Sequence, residues 1–181
     1  MSTPNDPSHP DPRYPIGPFI APAVVTAEDR RYAILTLAEM PEQLREAVRS
    51  LDEEQIDTPY RDGGWTVRQV VHHLADSHMT ALHRVCRGLT EDEPTVPGYS
   101  EKAFAELSDH RMPIEWSLDI LEGVHARWVS LLESMNEAQW QRTWTHTERG
   151  IQRLDVVMML YAWHSRHHVA HIAHLRAQRG W

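Results

Sequence analysis

The sequence predicts an all-α protein, a four-helix bundle with long connections between its helices. Two observations support this fold class. Four long segments carry apolar residues at helical spacing, and almost no segment alternates apolar and polar residues as a strand would. A chain of 181 residues also has the size of one domain with a sizeable core. The long connections of such a bundle can carry a pocket at one end.

An extended arm is expected before the bundle. Residues 1–22 contain seven of the twelve prolines and show no periodic pattern. Such a segment is ordered only where it lies on the body of the protein or on a second subunit. The chain therefore divides into a proline-rich N-terminal arm, 1–22, and a helical bundle domain, 23–181.

The first helix has a recognisable start. Thr26 and Asp29 have the spacing of an N-cap and its partner, and the apolar stripe that follows reaches Leu51. Pro41 lacks a backbone N–H and disfavours a helical residue before it. We therefore expect this helix to be kinked or divided near Met40.

The second helix begins after a loop rich in turn-forming residues. Thr66 and Gln69 form a capping box, and the helix should run to about Leu89. A long connection rich in proline, glycine and acidic residues follows at 90–112, with a short helix around 101–107.

The last two helices flank a short irregular region. Pro113 suits the first turn of the third helix, whose apolar stripe ends at Met135. Alternating residues within 142–153 predict a small β-hairpin. The fourth helix should extend from about Leu154 to Gln178.

Charge and composition exclude several partners. A formal net charge of −8 disfavours binding to a nucleic-acid backbone. Cys86 is the only cysteine, so no internal disulfide can form and nothing indicates an oxidising compartment. The N-terminus has no signal pattern, and the longest apolar run, 156–163, is far too short to span a membrane. We expect a cytoplasmic protein that binds neither nucleic acid nor membrane.

The fourth helix carries the most informative residues, four histidines within eight positions at 164–171. His164 and His168 are one turn apart, and on a helical wheel they lie about 20° on either side of the centre of the apolar face. Two inward imidazoles without a metal would each need a hydrogen-bond partner in a dry interior. A shared metal ion explains this pair better than packing does.

A third ligand would come from the second helix, where periodicity alone does not identify it. His78 lies on the main apolar stripe, so the helical wheel favours it as the inward histidine. His73 lies on a smaller face that a second neighbouring helix could cover. The pattern therefore neither rejects His73 nor selects it.

Four stretches carry a resemblance to a known family, in order from about residue 13 to the end of the chain. They are Tyr14–Gly17, Asp57–Met79, Trp163–Ile172 and the closing Gly180–Trp181. Together they resemble the YfiT family, a branch of the DinB-like metal-binding four-helix bundles. The resemblance implies one divalent metal, zinc or nickel, held by His73, His164 and His168. It also implies a homodimer in the cytoplasm.

The resemblance further implies a metal-dependent hydrolase acting on a small molecule, while related members transfer low-molecular-weight thiols such as bacillithiol. Three neutral histidines leave coordination positions open, where a water or a thiol could be activated as the nucleophile. The sequence does not separate hydrolysis from a bacillithiol S-transferase reaction. A third hypothesis is a non-catalytic metal-binding module of the stress response. No general base is assigned, although Asp76 could orient an imidazole.

Overall fold

The computed structural model describes residues 11–181, and its main body is the predicted four-helix bundle. The four long helices are α1, Ala27–Val48; α3, Val67–Thr90; α5, Glu115–Glu133; and α7, Leu154–Arg179. Helix α1 packs against α7 and α5, and α3 packs against α5 and α7, so the four helices enclose one core. None of the helices in residues 11–181 is long and apolar enough to cross a membrane.

Short elements occupy the connections between the long helices. They are α2, Glu53–Ile56; β1, Thr95–Val96; α4, Glu101–Phe104; a 3-10 turn, Ser108–Arg111; α6, Glu137–Trp140; β2, Thr143–His146; and β3, Gly150–Arg153. Strands β2 and β3 form the predicted hairpin. Strand β1 pairs in parallel with β2. This strand was not predicted, because two residues are too few to show an alternating pattern. The predicted short helix in the second connection is present, but it is one turn long.

The helix starts follow the predicted caps. The side chains of Thr26 and Thr66 accept hydrogen bonds from the backbone three residues ahead, and both capping boxes are complete. The expected division of the first helix is wrong, because α1 continues through Pro41. Its apolar face is buried against α5 and α7, and this packing maintains the helix where one backbone hydrogen bond is missing.

The described part of the arm lies on α7. Residues 11–26 form turns and irregular backbone, and the indole N–H of Trp163 donates to the carbonyl of Gly17 at 3.1 Å. The rest of the predicted arm, which includes His9, lies outside the described residues. The boundary at residue 22 stays a prediction.

The core consists of two apolar clusters at different heights of the bundle. One contains Leu37, Val85, Trp128 and Met158, and the other contains Leu44, Leu74, Leu121 and Ile172. His78, His125 and the histidines at 164–171 lie along the chain between these two sets, whereas His73 lies next to Leu74 of the second set. The site therefore lies where the two apolar clusters meet.

Asp155 holds the start of α7, and we expect its replacement to destabilise the fold. Its buried carboxylate accepts from Arg153 Nε at 2.6 Å and lies 3.8 Å from the guanidinium of Arg30. Asp155→Asn should lower the free energy of unfolding by about 2 kcal/mol, since hydrogen bonds to charged groups contribute about that much. Urea denaturation measures the change. Glu115→Gln, at the exposed first turn of α5, is the control and should stay within about 0.5 kcal/mol of wild type.

Candidate metal centre

The structure brings the three predicted metal ligands together. His73 comes from α3, and His164 and His168 come from consecutive turns of α7. One ring nitrogen from each lies within 4.8 Å of the others, and the Nε2 atoms of His73 and His164 are 3.3 Å apart. Such a separation allows one ion to contact all three rings. We call this group the three-histidine cluster.

The interior position of the cluster follows from how α3 packs. His73 and His78 are both buried, so the helical wheel was right that His78 points inward and incomplete in favouring it. His78 faces α5, where its Nδ1 lies 2.7 Å from Nε2 of His125. His73 faces the cluster on the α7 side. Helix α3 has two buried faces because it packs against both α5 and α7.

Burial keeps the three rings neutral at physiological pH. Desolvation, reinforced by neighbouring histidines, lowers the pKa of His73 to about 4. The same cause holds the pKa values of His164 and His168 well below 6.5. A neutral imidazole has a lone pair available for a metal, so burial favours the form that binds one.

The donor set fits a divalent ion that prefers nitrogen ligands. Nδ1 of His168 is buried, and no atom of the described residues is its hydrogen-bond partner, which is a costly state for a protein interior. The two Nε2 atoms that face each other can form at most one hydrogen bond in the neutral rings. Imidazole suits zinc and nickel, and no carboxylate or thiol joins the cluster among residues 11–181.

A cavity of about 280 Å³ adjoins the cluster. His73, His164 and His168 line it together with Trp65, whose ring centroid lies 4.6 Å from that of His73. The remaining wall combines charged and hydroxyl groups, among them Arg84, Tyr99, Glu101, Glu148, Arg149 and Tyr161. The cluster can therefore be reached by a small polar molecule.

The two tyrosines on this wall are held in the protonated form. Burial raises the pKa of both Tyr99 and Tyr161 above the ordinary value of 10.0. The hydroxyl of Tyr99 is buried, and it has no hydrogen-bond partner among residues 11–181. A protonated phenol can donate a hydrogen bond, so Tyr99 is available to a molecule in the cavity.

Asp76 and His171 have other contacts and do not belong to the three-histidine cluster. Asp76 accepts from Nε2 of His110 at 2.9 Å, so it orients that ring and not a ring of the cluster. His171 stacks on Tyr60 with ring centroids 4.0 Å apart, and its Nε2 lies 3.3 Å from the carbonyl oxygen of Arg13. His171 is therefore used in holding the arm and the loop before α3.

Sequence reasoning missed the charged wall of the cavity. Glu101 belongs to α4, and Glu148 and Arg149 belong to the turn between β2 and β3. The turn had been recognised as a hairpin, but no helical or strand period assigns loop residues to a cavity. His125 of α5 is buried, and it contacts His78.

A four-helix bundle whose interior carries a three-histidine cluster has the fold and the donor set of metal-binding helical bundles. Comparison with known proteins identifies the family. The DinB superfamily model matches residues 36–172, and the chain belongs to this superfamily.

The relatives agree with this class. A protein of Geobacillus thermodenitrificans is 51% identical over 171 residues, covering 93% of this chain and 96% of its own length. One of Bacillus cereus is 47% identical and covers 94% and 99%. Both carry provisional names as metal-dependent hydrolases. The structure of YfiT from Bacillus subtilis, described as a probable metal-dependent hydrolase with an unusual four-helix bundle topology, has a TM-score of 0.91 and 43% identity over 94% of this chain and 98% of that one.

The names of the relatives and the three-histidine cluster together support an enzyme that uses a divalent metal. A second four-helix bundle, TT2238, has a TM-score of 0.52 at 18% identity and shares the fold alone.

Proposed function

We propose that this protein is a metal-dependent hydrolase whose zinc or nickel ion is held by His73, His164 and His168. The main support for this proposal is that three neutral histidines from two helices meet at the wall of an accessible cavity. When bound, such an ion acts as a Lewis acid and lowers the pKa of a coordinated water molecule to about 7. With three protein ligands, the ion would keep a coordination position for water or substrate, whereas four protein ligands enclose a structural zinc.

The size and wall of the cavity support a small polar substrate. A volume of about 280 Å³ lies just below the usual range of ligand pockets, which is about 300 to 1,000 Å³, so only a small molecule fits. Arg84 and Arg149 are placed to bind an anionic group, while Glu101 and Glu148 favour a cationic one. Tyr99 can donate a hydrogen bond to a carbonyl or to a leaving group.

Reconstitution of the metal-free protein tests this proposal. The protein is stripped with a chelator, reloaded with zinc or nickel, and assayed against small esters, amides and phosphate esters. We expect hydrolysis that requires the metal and disappears in His164→Ala. The control is His174→Ala on the same helix, where His174 contacts Gln178 and lies outside the cluster.

The same assay separates water from thiol as the nucleophile. Addition of a small thiol such as bacillithiol, together with a chloro-aromatic electrophile, supplies the substrates of an S-transferase. Thiol-dependent conjugation without hydrolysis would replace the hydrolase proposal. Metal binding with neither reaction would favour the non-catalytic module.

The resemblance also leads us to propose a homodimer in the cytoplasm. Light scattering on the purified chain tests its assembly, and a mass of one chain would contradict it. Cell fractionation tests the location.

A further inference from the structure

We propose that His78 and His125 are positioning residues that fix which nitrogen of His164 carries its proton. The two rings link the backbone of α1 to His164 through a line of hydrogen bonds. As a result, the lone pair of His164 is directed into the three-histidine cluster. The value of this for metal binding rests on the proposed function, whereas the proton positions themselves can be tested without a metal.

The line begins at a backbone carbonyl that Pro41 leaves free. In a regular helix the N–H of residue 41 would donate to the carbonyl of Leu37, but proline has no N–H. Nδ1 of His125 instead lies 2.6 Å from this oxygen. A carbonyl oxygen can only accept, so the proton of His125 lies on Nδ1.

The proton position on each ring determines the proton position on the next ring in the line. Neutral His125 has its lone pair on Nε2, which lies 2.7 Å from Nδ1 of His78, so His78 must donate. The lone pair of His78 is then on Nε2, which lies 3.1 Å from Nδ1 of His164. His164 therefore donates from Nδ1 and keeps the lone pair on Nε2, the atom that faces His73.

These proton positions are fixed because the rings are buried and tightly packed. His78 has no exposed surface and His125 is 1% exposed, so a charged ring would have to lose nearly all its hydration. The rings of Trp128 and Tyr161 meet His78 edge-on, with centroids 5.8 and 5.4 Å away. They leave its imidazole little freedom to turn over and exchange its two nitrogens.

With its proton fixed on Nδ1, His164 already presents the lone pair of Nε2 that a metal ion requires. If His164 could place its proton on Nε2, that N–H would point into the cluster and would have to move before an ion could bind. Hydrogen-bond partners of metal-binding histidines typically change metal affinity by about 10–100-fold. His78 and His125 should have an influence of this size without touching the ion.

Nitrogen-15 NMR of the metal-free protein tests the proton positions directly. We expect His125, His78 and His164 all to carry the proton on Nδ1. His72 is an internal reference with the opposite form, since its Nε2 lies 3.1 Å from the carbonyl of Met112 and its Nδ1 lies 2.7 Å from the Ser117 hydroxyl. An Nε2–H form of His78 or His164 would overturn the proposal even if the protein proves to be a hydrolase.

Substitutions test the consequence for metal affinity. His78→Leu should reduce affinity by roughly 10–100-fold. His78→Gln, whose amide can both accept and donate, should recover part of that loss, and His125→Leu should have an intermediate effect because His78 keeps its contact with His164. His72→Leu, the control on the same helix, removes a buried hydrogen-bonded histidine without contacting the cluster.

Metal titration against a chromophoric chelator measures all four variants, and urea denaturation measures their stability. Equal loss of affinity in the control and in His78→Leu would show a general effect of core damage and would overturn the proposal. So would unchanged affinity in a folded His78→Leu. If that variant does not fold, the NMR spectrum and the His125→Leu titration still decide the question. Absence of metal binding by wild type would instead refute the proposed function alone.

Discussion

His168→Ala is expected to weaken binding of zinc or nickel by roughly a hundredfold. Four ligands of a structural zinc site together contribute about 10–16 kcal/mol, so one ligand contributes about 3 kcal/mol, which corresponds to roughly two powers of ten in affinity. His168 faces both other members of the cluster, with ring centroids 4.9 Å from His73 and 4.5 Å from His164. Competition with a chromophoric chelator, together with elemental analysis, measures the loss.

The effect should also appear in stability. A metal at a hundred times its dissociation constant adds about 2.7 kcal/mol to the free energy of unfolding of wild type. His168→Ala should show almost no such gain at the same metal concentration, whereas His174→Ala should show the full gain. Wild-type affinity in His168→Ala would remove this histidine from the metal site and contradict the three-ligand arrangement.

Acid should strongly destabilise the metal-free protein. Burial lowers the pKa of His73 and of His125 from 6.5 to about 4. Between these values the unfolded chain binds more protons than the folded protein does, so the free energy of unfolding falls as the pH falls. The free energy of unfolding is highest above pH 6.5, where these histidines are neutral in both states. Relative to that range, each such histidine lowers the free energy of unfolding by about 2 kcal/mol at pH 5 and by about 3 kcal/mol below pH 4.

Urea denaturation at pH 7.5 and pH 5, in the presence of a chelator, measures this dependence. His125→Leu provides the matched comparison, because one buried neutral histidine is removed from the core. Its loss of stability between the two pH values should be smaller than that of wild type by about 2 kcal/mol. Equal stability of wild type at both pH values would show that the histidines are not held neutral by burial.

Local sequence signals were sufficient for most of the fold. The caps at Thr26 and Thr66 and the apolar stripes located the long helices, because these signals act within one or two turns. The hairpin was also predicted, and its strands are 143–146 and 150–153. Strand β1 was not, since its pairing with β2 joins residues about 50 positions apart.

Pro41 shows where a local rule fails. By itself, proline predicts an interruption, because it removes one hydrogen bond and crowds the preceding turn. In the folded chain, packing against two other helices maintains α1 through this position. The carbonyl of Leu37 that proline leaves free then becomes the partner of His125. No local pattern could predict a contact between residues 88 positions apart.

The sequence by itself determined that His164 and His168 share one inward face, because their spacing of four residues is fixed by the helical period. The family resemblance supplied His73. Only the tertiary structure decided where His73 and His78 of α3 point: His73 lies against the α7 pair, and His78 lies between His125 and His164. The physical reason is that helical periodicity fixes directions around one axis, whereas the packing of α3 against both α5 and α7 determines which directions meet.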